Sequence, residues 1–351
     1  MLKARSLYQR RKLSIYVVVF FLLATFLPAC IPAKADCTSN DLFCVGLVTD
    51  IGKINDKSFN QSCWEGLQQA NKQLEARIEY IETADVKDYA ANIATFGDEG
   101  FDVIVTCGFK LGDSTLTAAK TYPQTDFIGV DQFQTQAVEG VTGLTFPEDQ
   151  AGFLVGALAS LMSKNDQIGA VCGPDTVPAV WRFGEGYKAG AAYVDTTKGT
   201  TTEVFVVYHE DNDQAFTDTK WGADTAKSMV DAGADVIFGC GGLTGNSAII
   251  TAAQSDAYAI GVDTDQYFTL PEAAPLMLSS AMKLITPGVF DLIKLSKAGA
   301  FPSGNYLGKV GYAPFHDVDS KVPGDVKAEM ETINAGLLDG SIKTGVPSTK
   351  P

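Results

Sequence analysis

Short apolar runs rich in β-branched residues alternate with longer segments of helical periodicity over most of the chain. The runs predict strands at residues 44–49, 78–81, 103–106, 127–130, 167–171, 204–207, 236–238 and 259–262. The longer segments predict helices at residues 58–75, 89–99, 114–122, 147–163, 183–193, 218–232 and 245–254. Strands this apolar are typical of parallel sheets covered by helices on both faces. The pattern therefore predicts an α/β fold with parallel sheets.

An internal repeat divides the chain. The sequence GFDVIVTCG, which begins at Gly100, matches GADVIFGCG, which begins at Gly233. Further along, the sequence IGVD ends at Asp131 and again at Asp263. The two matches are offset by 133 and 132 residues, and chance rarely produces nearly the same offset twice. The chain is therefore predicted to hold two similar Rossmann-like lobes in tandem.

Asp131 and Asp263 each follow a predicted buried strand. Ligands of open parallel sheets bind beyond the carboxyl ends of the strands, so two facing lobes would bring both carboxylates to one cleft. Carboxylates accept hydrogen bonds in pairs, which suits the vicinal hydroxyls of a sugar. The alternative is that each aspartate caps a helix or makes a turn. Because the feature occurs in both halves, we favour ligand contact.

The N-terminal segment has the pattern of a secretory signal peptide. Five basic residues and no acid occur in the first twelve residues, and an apolar run covers residues 13–27. The sequence LPAC, which ends at Cys30, resembles a lipobox and predicts lipidation of Cys30, with residues 1–29 as signal peptide and 30–41 as linker. The protein would then be exported and anchored to the outer face of the cytoplasmic membrane or in the periplasm. A rival cleavage after Ala35 would instead release a soluble protein.

Charge and cysteine content narrow the possible functions. The formal net charge is −15, and about −20 without the basic residues of the signal peptide. Such a chain repels phosphate backbones, so nucleic acid is not an expected partner. Six cysteines follow Cys30, and six allow fifteen full pairings. Cys37 and Cys44 are predicted to form a local disulfide, whereas Cys63, Cys107, Cys172 and Cys240 are interpreted as small buried residues.

An enzyme is the rival class of function. The two histidines, His209 and His316, leave little material for a catalytic triad or a metal site. A glycine-rich sequence at residues 239–245 follows a predicted strand, but its spacing departs from that of a dinucleotide-binding loop. The sequence therefore predicts no catalytic residue, no metal and no cofactor.

Ordered motifs resemble one protein family. The sequence DIGKINDKSFNQSCWEG, from Asp50 to Gly66, resembles the opening signature of the basic membrane protein family, the substrate-binding lipoproteins of purine nucleoside receptor A type. Further similarities follow in order: FIGVD at residues 127–131, PAVWRF at 178–183, GYKAG at 186–190, GADVI at 233–237, the loop at 241–246, IGVDTDQ at 260–266 and SSAMK at 279–283. The resemblance covers roughly residues 42–340.

The resemblance implies a type I periplasmic-binding-protein fold that binds a purine nucleoside between hinged lobes and delivers it to an ABC permease. By position, Phe59 would stack on the base, with Phe183 or Phe216 covering its other face. On periodicity alone, Phe59 could instead belong to the core. The remaining ligand-binding residues implied are Asp50 and Asn60 as hydrogen-bonding groups, Asp131, Asp263 and Lys283 at the ribose or base edge, and Gly242 as a point of close backbone approach.

The resemblance also guides the division into lobes. Lys283 lies beyond the second repeat, so we predict more than one crossover. The first lobe is predicted at residues 42–146 plus about 284–300, and the second at 147–283 plus about 301–340. Residues 341–351 are predicted to be a frayed tail. The protein is predicted to be a monomer. A ligand-sensing or adhesive surface lipoprotein of the same fold is the alternative function.

Overall fold

The computed structural model describes residues 37–38 and 41–351. The predicted signal peptide, the proposed lipidation site at Cys30 and most of the predicted linker lie outside the described residues. No helix among the described residues combines the length and the apolar composition needed to cross a bilayer.

The first sheet contains six strands in the order β11-β5-β4-β3-β1-β2, all parallel. Its strands are β1 (Cys44–Ile51), β2 (Arg77–Thr83), β3 (Val103–Cys107), β4 (Asp126–Val130), β5 (Val141–Thr145) and β11 (Gly304–Leu307). The helices of this lobe are α1 (Phe59–Leu74), α2 (Tyr89–Asp98), α3 (Gly112–Thr121) and α8 (Ile285–Lys297). The central strands β1 and β3 are almost wholly buried, as expected for a sheet covered on both faces.

The second sheet repeats this topology, with the order β12-β10-β9-β8-β6-β7. Its strands are β6 (Gln167–Cys172), β7 (Glu203–Tyr208), β8 (Val236–Cys240), β9 (Tyr258–Asp263), β10 (Met277–Lys283) and the antiparallel edge strand β12 (Val310–Tyr312). The helices of this lobe are α4 (Glu148–Met162), α5 (Pro178–Lys198), α6 (Thr219–Asp231), α7 (Gly242–Gln254) and α9 (Gly324–Asp339). The predicted α/β fold of two Rossmann-like lobes is confirmed.

The chain crosses between the sheets three times, after β5, after β10 and after β11. Helix α8 returns to the first lobe, where Thr286 donates a hydrogen bond to the carbonyl oxygen of Ser62 (2.9 Å). Strand β11 pairs with β5, so the first sheet extends to Leu307, beyond the boundary near residue 300 predicted from the sequence. The short strand β11 carries only two large apolar side chains, Tyr306 and Leu307, which is too weak a pattern to predict it.

The six cysteines beyond Cys30 form three disulfides: Cys37–Cys44, Cys63–Cys107 and Cys172–Cys240. The predicted local disulfide is present. The other four, interpreted as small buried residues, are buried, and they also form the two disulfides that the sequence left open. Their partners lie 44 and 68 residues apart in sequence, so the pairing depends on the fold and has no local signal.

The C-terminal tail contacts the second lobe, whereas a frayed end was predicted. Thr344 donates a hydrogen bond to Asp149 (2.6 Å), and the Lys350 ammonium lies 2.7 Å from a carboxylate oxygen of Asp175. Prolines in the tail indicated an end without secondary structure, and the tail has neither helix nor strand. Its polar side chains nevertheless bond to side chains of the second lobe.

Candidate functional site

A cleft lies between the two lobes and is lined by residues from the carboxyl ends of strands in both sheets. Its empty volume, including the open mouth, is about 1020 Å³. All nine residues predicted to bind ligand line it: Asp50, Phe59, Asn60, Asp131, Phe183, Phe216, Gly242, Asp263 and Lys283. The fold therefore brings together side chains that are as far apart as Asp50 and Lys283 in sequence.

The loop from β1 to α1 forms the first-lobe wall. The buried carboxylate of Asp56 accepts hydrogen bonds from the backbone N–H groups of Ser58 (3.0 Å), Asn60 (2.9 Å) and Gln61 (3.1 Å). These are donors that the start of a helix leaves without intrahelical partners. Asp56 thus orients the first turn of α1, which carries Phe59 and Asn60 into the cleft.

Phe59 does not belong exclusively to the core or to the cleft. Its ring is half-buried and packs against the first-lobe core, and the same side chain lines the cleft. Both alternatives considered for this residue therefore describe part of its environment.

Asp50 and Asn60 form a hydrogen-bonded pair on this wall. The Asn60 side-chain amide donates to Asp50 Oδ1 (3.2 Å), while Asn60 Oδ1 is buried without a partner. Burial raises the pKa of Asp50 to about 7; the bond from Asn60 lowers it, and the nearby carboxylates of Asp56 and Asp131 raise it further. Asp50 thus changes its protonation state near neutral pH.

Asp131 and Asp263 have equivalent geometry in the two lobes. Both have positive φ angles, 62° and 65°, a conformation that aspartate tolerates better than most residues. Asp263 accepts a hydrogen bond from the Ser58 hydroxyl of the opposite lobe (2.7 Å), and burial raises its pKa to about 6. Asp131 pairs through Oδ2 with Lys283 (2.6 Å), and its Oδ1 is buried without a partner. Both carboxylates therefore face the same cleft.

Lys283, at the end of β10, is buried among carboxylates and aromatic rings. Its ammonium lies 2.6 Å from Asp131 and 3.2 Å from Glu148. Burial acts to lower its pKa, but the attraction of these carboxylates more than offsets burial, so the pKa is raised and the amine stays cationic. The ammonium also lies 5.3 Å from the Phe59 ring centroid and 5.9 Å from that of Phe183, within the range of a cation–π contact.

Sequence reasoning missed Glu148. This residue begins α4, directly after the first crossover, and is 3% exposed. Its carboxylate bridges Lys283 and Arg182, whose guanidinium lies 3.1 Å away and also pairs with Asp149. An acidic residue at the start of a helix is commonly explained by the helix dipole alone. The signal that the sequence offered was the position of this carboxylate at the start of a long, mostly apolar helical segment.

The second-lobe wall contains two aromatic rings. Phe183 is 3% exposed, with an edge-to-face contact to Phe238 at 6.2 Å. Phe216 is half-buried and packs closely on Gly173, where a Cβ atom would lie 2.5 Å from the ring. Gly242 has φ 55° and approaches the backbone of Phe216, which favours glycine at that position. Both predicted aromatic candidates therefore lie at the cleft.

Hydrogen bonds join the two lobes beside the cleft. The carbonyl oxygen of Lys57 accepts from the side chains of Gln266 (3.0 Å) and Thr269 (2.9 Å), and that of Asp56 accepts from Asn246 (2.8 Å). At the rim, the Lys110 ammonium lies 2.6 Å from a carboxylate oxygen of Asp211. The structure is thus a closed form of the two lobes.

The chemistry of the cleft is that of a binding site for a polar molecule with a flat apolar face. Aromatic rings line both walls, and buried oxygen acceptors on Asp131 and Asn60 lack donors. Among the described residues, no group of three or more histidine, cysteine, aspartate or glutamate side chains is arranged to hold a metal ion. These features favour reversible binding of an organic ligand.

Comparisons with known proteins support this. The chain matches a family described as "ABC transporter substrate-binding protein PnrA-like" over residues 43–307. It is 31% identical over 334 residues to the CD4+ T-cell-stimulating antigen of Listeria innocua, covering 88% of this chain and 90% of that protein. It is 30% identical over 279 residues to the ABC transporter nucleoside-binding protein BmpA of Lactococcus lactis, covering 74% of this chain and 77% of that protein.

A solved structure resembles the fold. An ABC transporter solute-binding protein of Aeropyrum pernix K1 superposes with a TM-score of 0.77 at 22% identity, over 86% of this chain and 92% of that one. At this identity the likeness supports the fold alone, that of two α/β lobes. The match over most of the sequence carries the further conclusion: the chain belongs to the PnrA-like family of ABC transporter substrate-binding proteins, which bind solutes and are not enzymes.

Proposed function

We propose that the protein binds a purine nucleoside in the cleft between its lobes and delivers it to an ABC permease. The observation that carries the proposal is the pairing of aromatic rings on both walls with unpartnered acceptors between them. The rings of Phe59, Phe183 and Phe216 would enclose a flat base. The buried oxygens on Asp131 and Asn60 require donors, which ribose hydroxyls and amino groups on a base supply.

The charges of the site favour a neutral ligand in this proposal. The cleft is lined by the acids Asp50, Asp56, Asp131, Asp213 and Asp263. Its three lysines are already paired with carboxylates: Lys283 with two, Lys53 with Glu82 and Lys110 with Asp211. A phosphate group would face repulsion from these acids, whereas a hydroxyl would not. A ribose held by Asp131, Asp263 and Lys283 would place its base between the rings.

Export and anchoring belong to the same proposal. Three disulfides imply that the chain folds in an oxidising compartment. The basic and apolar N-terminal segment would direct export, and a lipid on Cys30 would hold the binding protein beside its permease. Mass spectrometry of the mature N-terminus tests this point: a diacylated Cys30 supports the anchor, and a free N-terminus at Asp36 contradicts it.

Calorimetry of the full chain tests the ligand. The panel should include adenosine, guanosine and inosine, cytidine and uridine, free adenine, ribose, and adenosine monophosphate. We expect the purine nucleosides to bind at least tenfold more tightly than free adenine or ribose, because each fragment fills only half of the cleft. A tenfold difference in affinity corresponds to about 1.4 kcal/mol of binding free energy. Failure of every nucleoside to bind, in protein first freed of co-purified ligand, would contradict the proposal.

A further inference from the structure

Two of the three disulfides lie beside the ligand cleft: Cys240 lines it, and Cys107 is followed by Gly108, which also lines it. Cys107 ends β3 and Cys240 ends β8, and the internal repeat makes these positions equivalent. Each bonds to a different kind of partner: Cys107 to Cys63 on helix α1, and Cys240 to Cys172 at the end of β6. The two lobes therefore have covalent bonds at the same place, built from different partner elements.

In the first lobe, the disulfide joins helix α1, which carries Phe59 and Asn60, to the end of strand β3, beside Asp50. Cys63 lies one helical turn after Phe59, on the same face of α1. Cys107 precedes Gly108, which has φ 129° and approaches Asp50 so closely that a Cβ atom would lie 2.7 Å from its Oδ2. The bond thus holds the first turn of α1 against the end of β3.

In the second lobe, the disulfide lies beneath Phe216 and Gly242. Cys172 and Cys240 are register partners on adjacent strands, and Cys240 itself lines the cleft. The next residues also approach closely: the N–H of Gly173 donates to the Cys240 carbonyl oxygen (2.8 Å), and a Cβ atom on Gly241 would lie 2.5 Å from the Gly173 nitrogen. Gly173 in turn contacts the Phe216 ring.

We propose that the Cys63–Cys107 and Cys172–Cys240 disulfides are positioning bonds of the ligand site. Each holds the backbone of one cleft wall in its ligand-binding arrangement, so the walls are ordered before the lobes close. The proposal rests on the proposed function, since it concerns affinity for the same ligand. Ordering a loop in its bound conformation before binding reduces the entropy lost on association, which raises affinity.

The third disulfide provides a matched control. Cys44 begins β1, at the opposite end of that strand from Asp50 and Ile51, which line the cleft. The Cys37–Cys44 bond therefore crosslinks the first lobe without contacting the site. Its removal should lower stability but leave the cleft walls unchanged.

The experiment compares C63A/C107A, C172A/C240A and C37A/C44A with the unaltered full chain. Binding of adenosine and guanosine is measured by calorimetry well below each thermal midpoint, so that all proteins are folded. We expect each cleft pair to weaken binding by roughly tenfold, and the control pair to change it less than about twofold. Hydrogen exchange of the ligand-free proteins should be faster at residues 59–63 in the first variant and at residues 172 and 173 in the second.

The outcomes separate this proposal from the proposed function. If the unaltered chain binds neither nucleoside, the proposed function fails. If it binds, and both cleft variants keep its affinity and exchange rates, the disulfides do not position the site. Should a double variant not fold, the unaltered chain is reduced with a phosphine and the opened pairs are identified by mass spectrometry. If the reduced chain also unfolds, the disulfides maintain the fold of the lobes rather than the arrangement of the site, and the proposal is overturned.

Discussion

Asp263 lies at the end of β9 with 7% of its surface exposed, and its carboxylate spans the cleft to Ser58. We expect Asp263→Ala to weaken purine nucleoside binding by about 2 kcal/mol or more, because a buried charged acceptor is lost. Calorimetry measures the change. Asp224→Ala, which removes an exposed carboxylate paired with Lys220, is the matched control and should leave affinity unaltered. Equal affinity in both variants would count against a ligand role for Asp263.

Asp50 predicts a pH dependence of folding stability. Its folded pKa of about 7 exceeds the ordinary 3.8, so between these values the folded state holds more protons than the unfolded state. Stability contributed by the protonated carboxyl is therefore present below the ordinary pKa and is lost as pH rises through about 7. At pH values above 7, Asp50→Asn should raise the thermal midpoint of the ligand-free protein. Below pH 7, the midpoint of the variant should depend less on pH than that of the parent. A variant curve parallel to that of the parent would refute this.

At the scale of elements, the orientation of helix α1 depends on its cap. Asp56 accepts three backbone hydrogen bonds at the start of the helix that carries Phe59 and Asn60. Asp56→Ala should lower the free energy of unfolding by about 1–2 kcal/mol and also weaken nucleoside binding, because the first turn loses its anchor. Denaturant titration and calorimetry measure the two effects. Asp85→Ala removes an exposed cap that accepts from the Lys87 N–H and pairs with the Lys87 ammonium (2.7 Å), and should leave binding unchanged.

The strands show how much of the secondary structure the local pattern of apolar residues predicts. The eight strands predicted from apolar runs are all present. The central strands are buried on both faces and are therefore almost wholly apolar, whereas the edge strands β2 and β7 are largely half-buried. The strands Val141–Thr145, Met277–Lys283, Gly304–Leu307 and Val310–Tyr312 were not predicted. The last two are short, and Met277–Lys283 is interrupted by Ser279 and Ser280, so pairing with neighbouring strands decides the conformation of these segments.

At the scale of the whole molecule, closure of the lobes is stabilised by hydrogen bonds beside the cleft. Asn246 on α7 donates to Asp56 of the other lobe and accepts from Gln266. Asn246→Ala should shift the ligand-free protein towards an open form, at a cost of about 1 kcal/mol to closure. Small-angle X-ray scattering should show a larger radius of gyration that returns to the parent value on saturation with nucleoside.

The control for closure is Asn165→Ala, which removes a hydrogen bond to Gly233 within the second lobe. It should leave the scattering curve unchanged. If Asn246→Ala is also as compact as the parent without ligand, the hydrogen bonds between the lobes do not set their separation.

The amino-acid sequence by itself determined the two lobes, the aspartates at equivalent strand ends and the nine predicted residues of the cleft. Periodicity, repeats and ordered motifs are properties of short stretches of sequence, so they can be recognised without the structure. Only the tertiary structure decided the partners of those residues. The bond from Lys283 to Asp131 spans 152 positions of sequence, and Glu148 joins it from a third segment. The disulfide partners and the return of β11 to the first sheet were decided in the same way. Such contacts form because the lobes pack and close in space, and no local pattern specifies them.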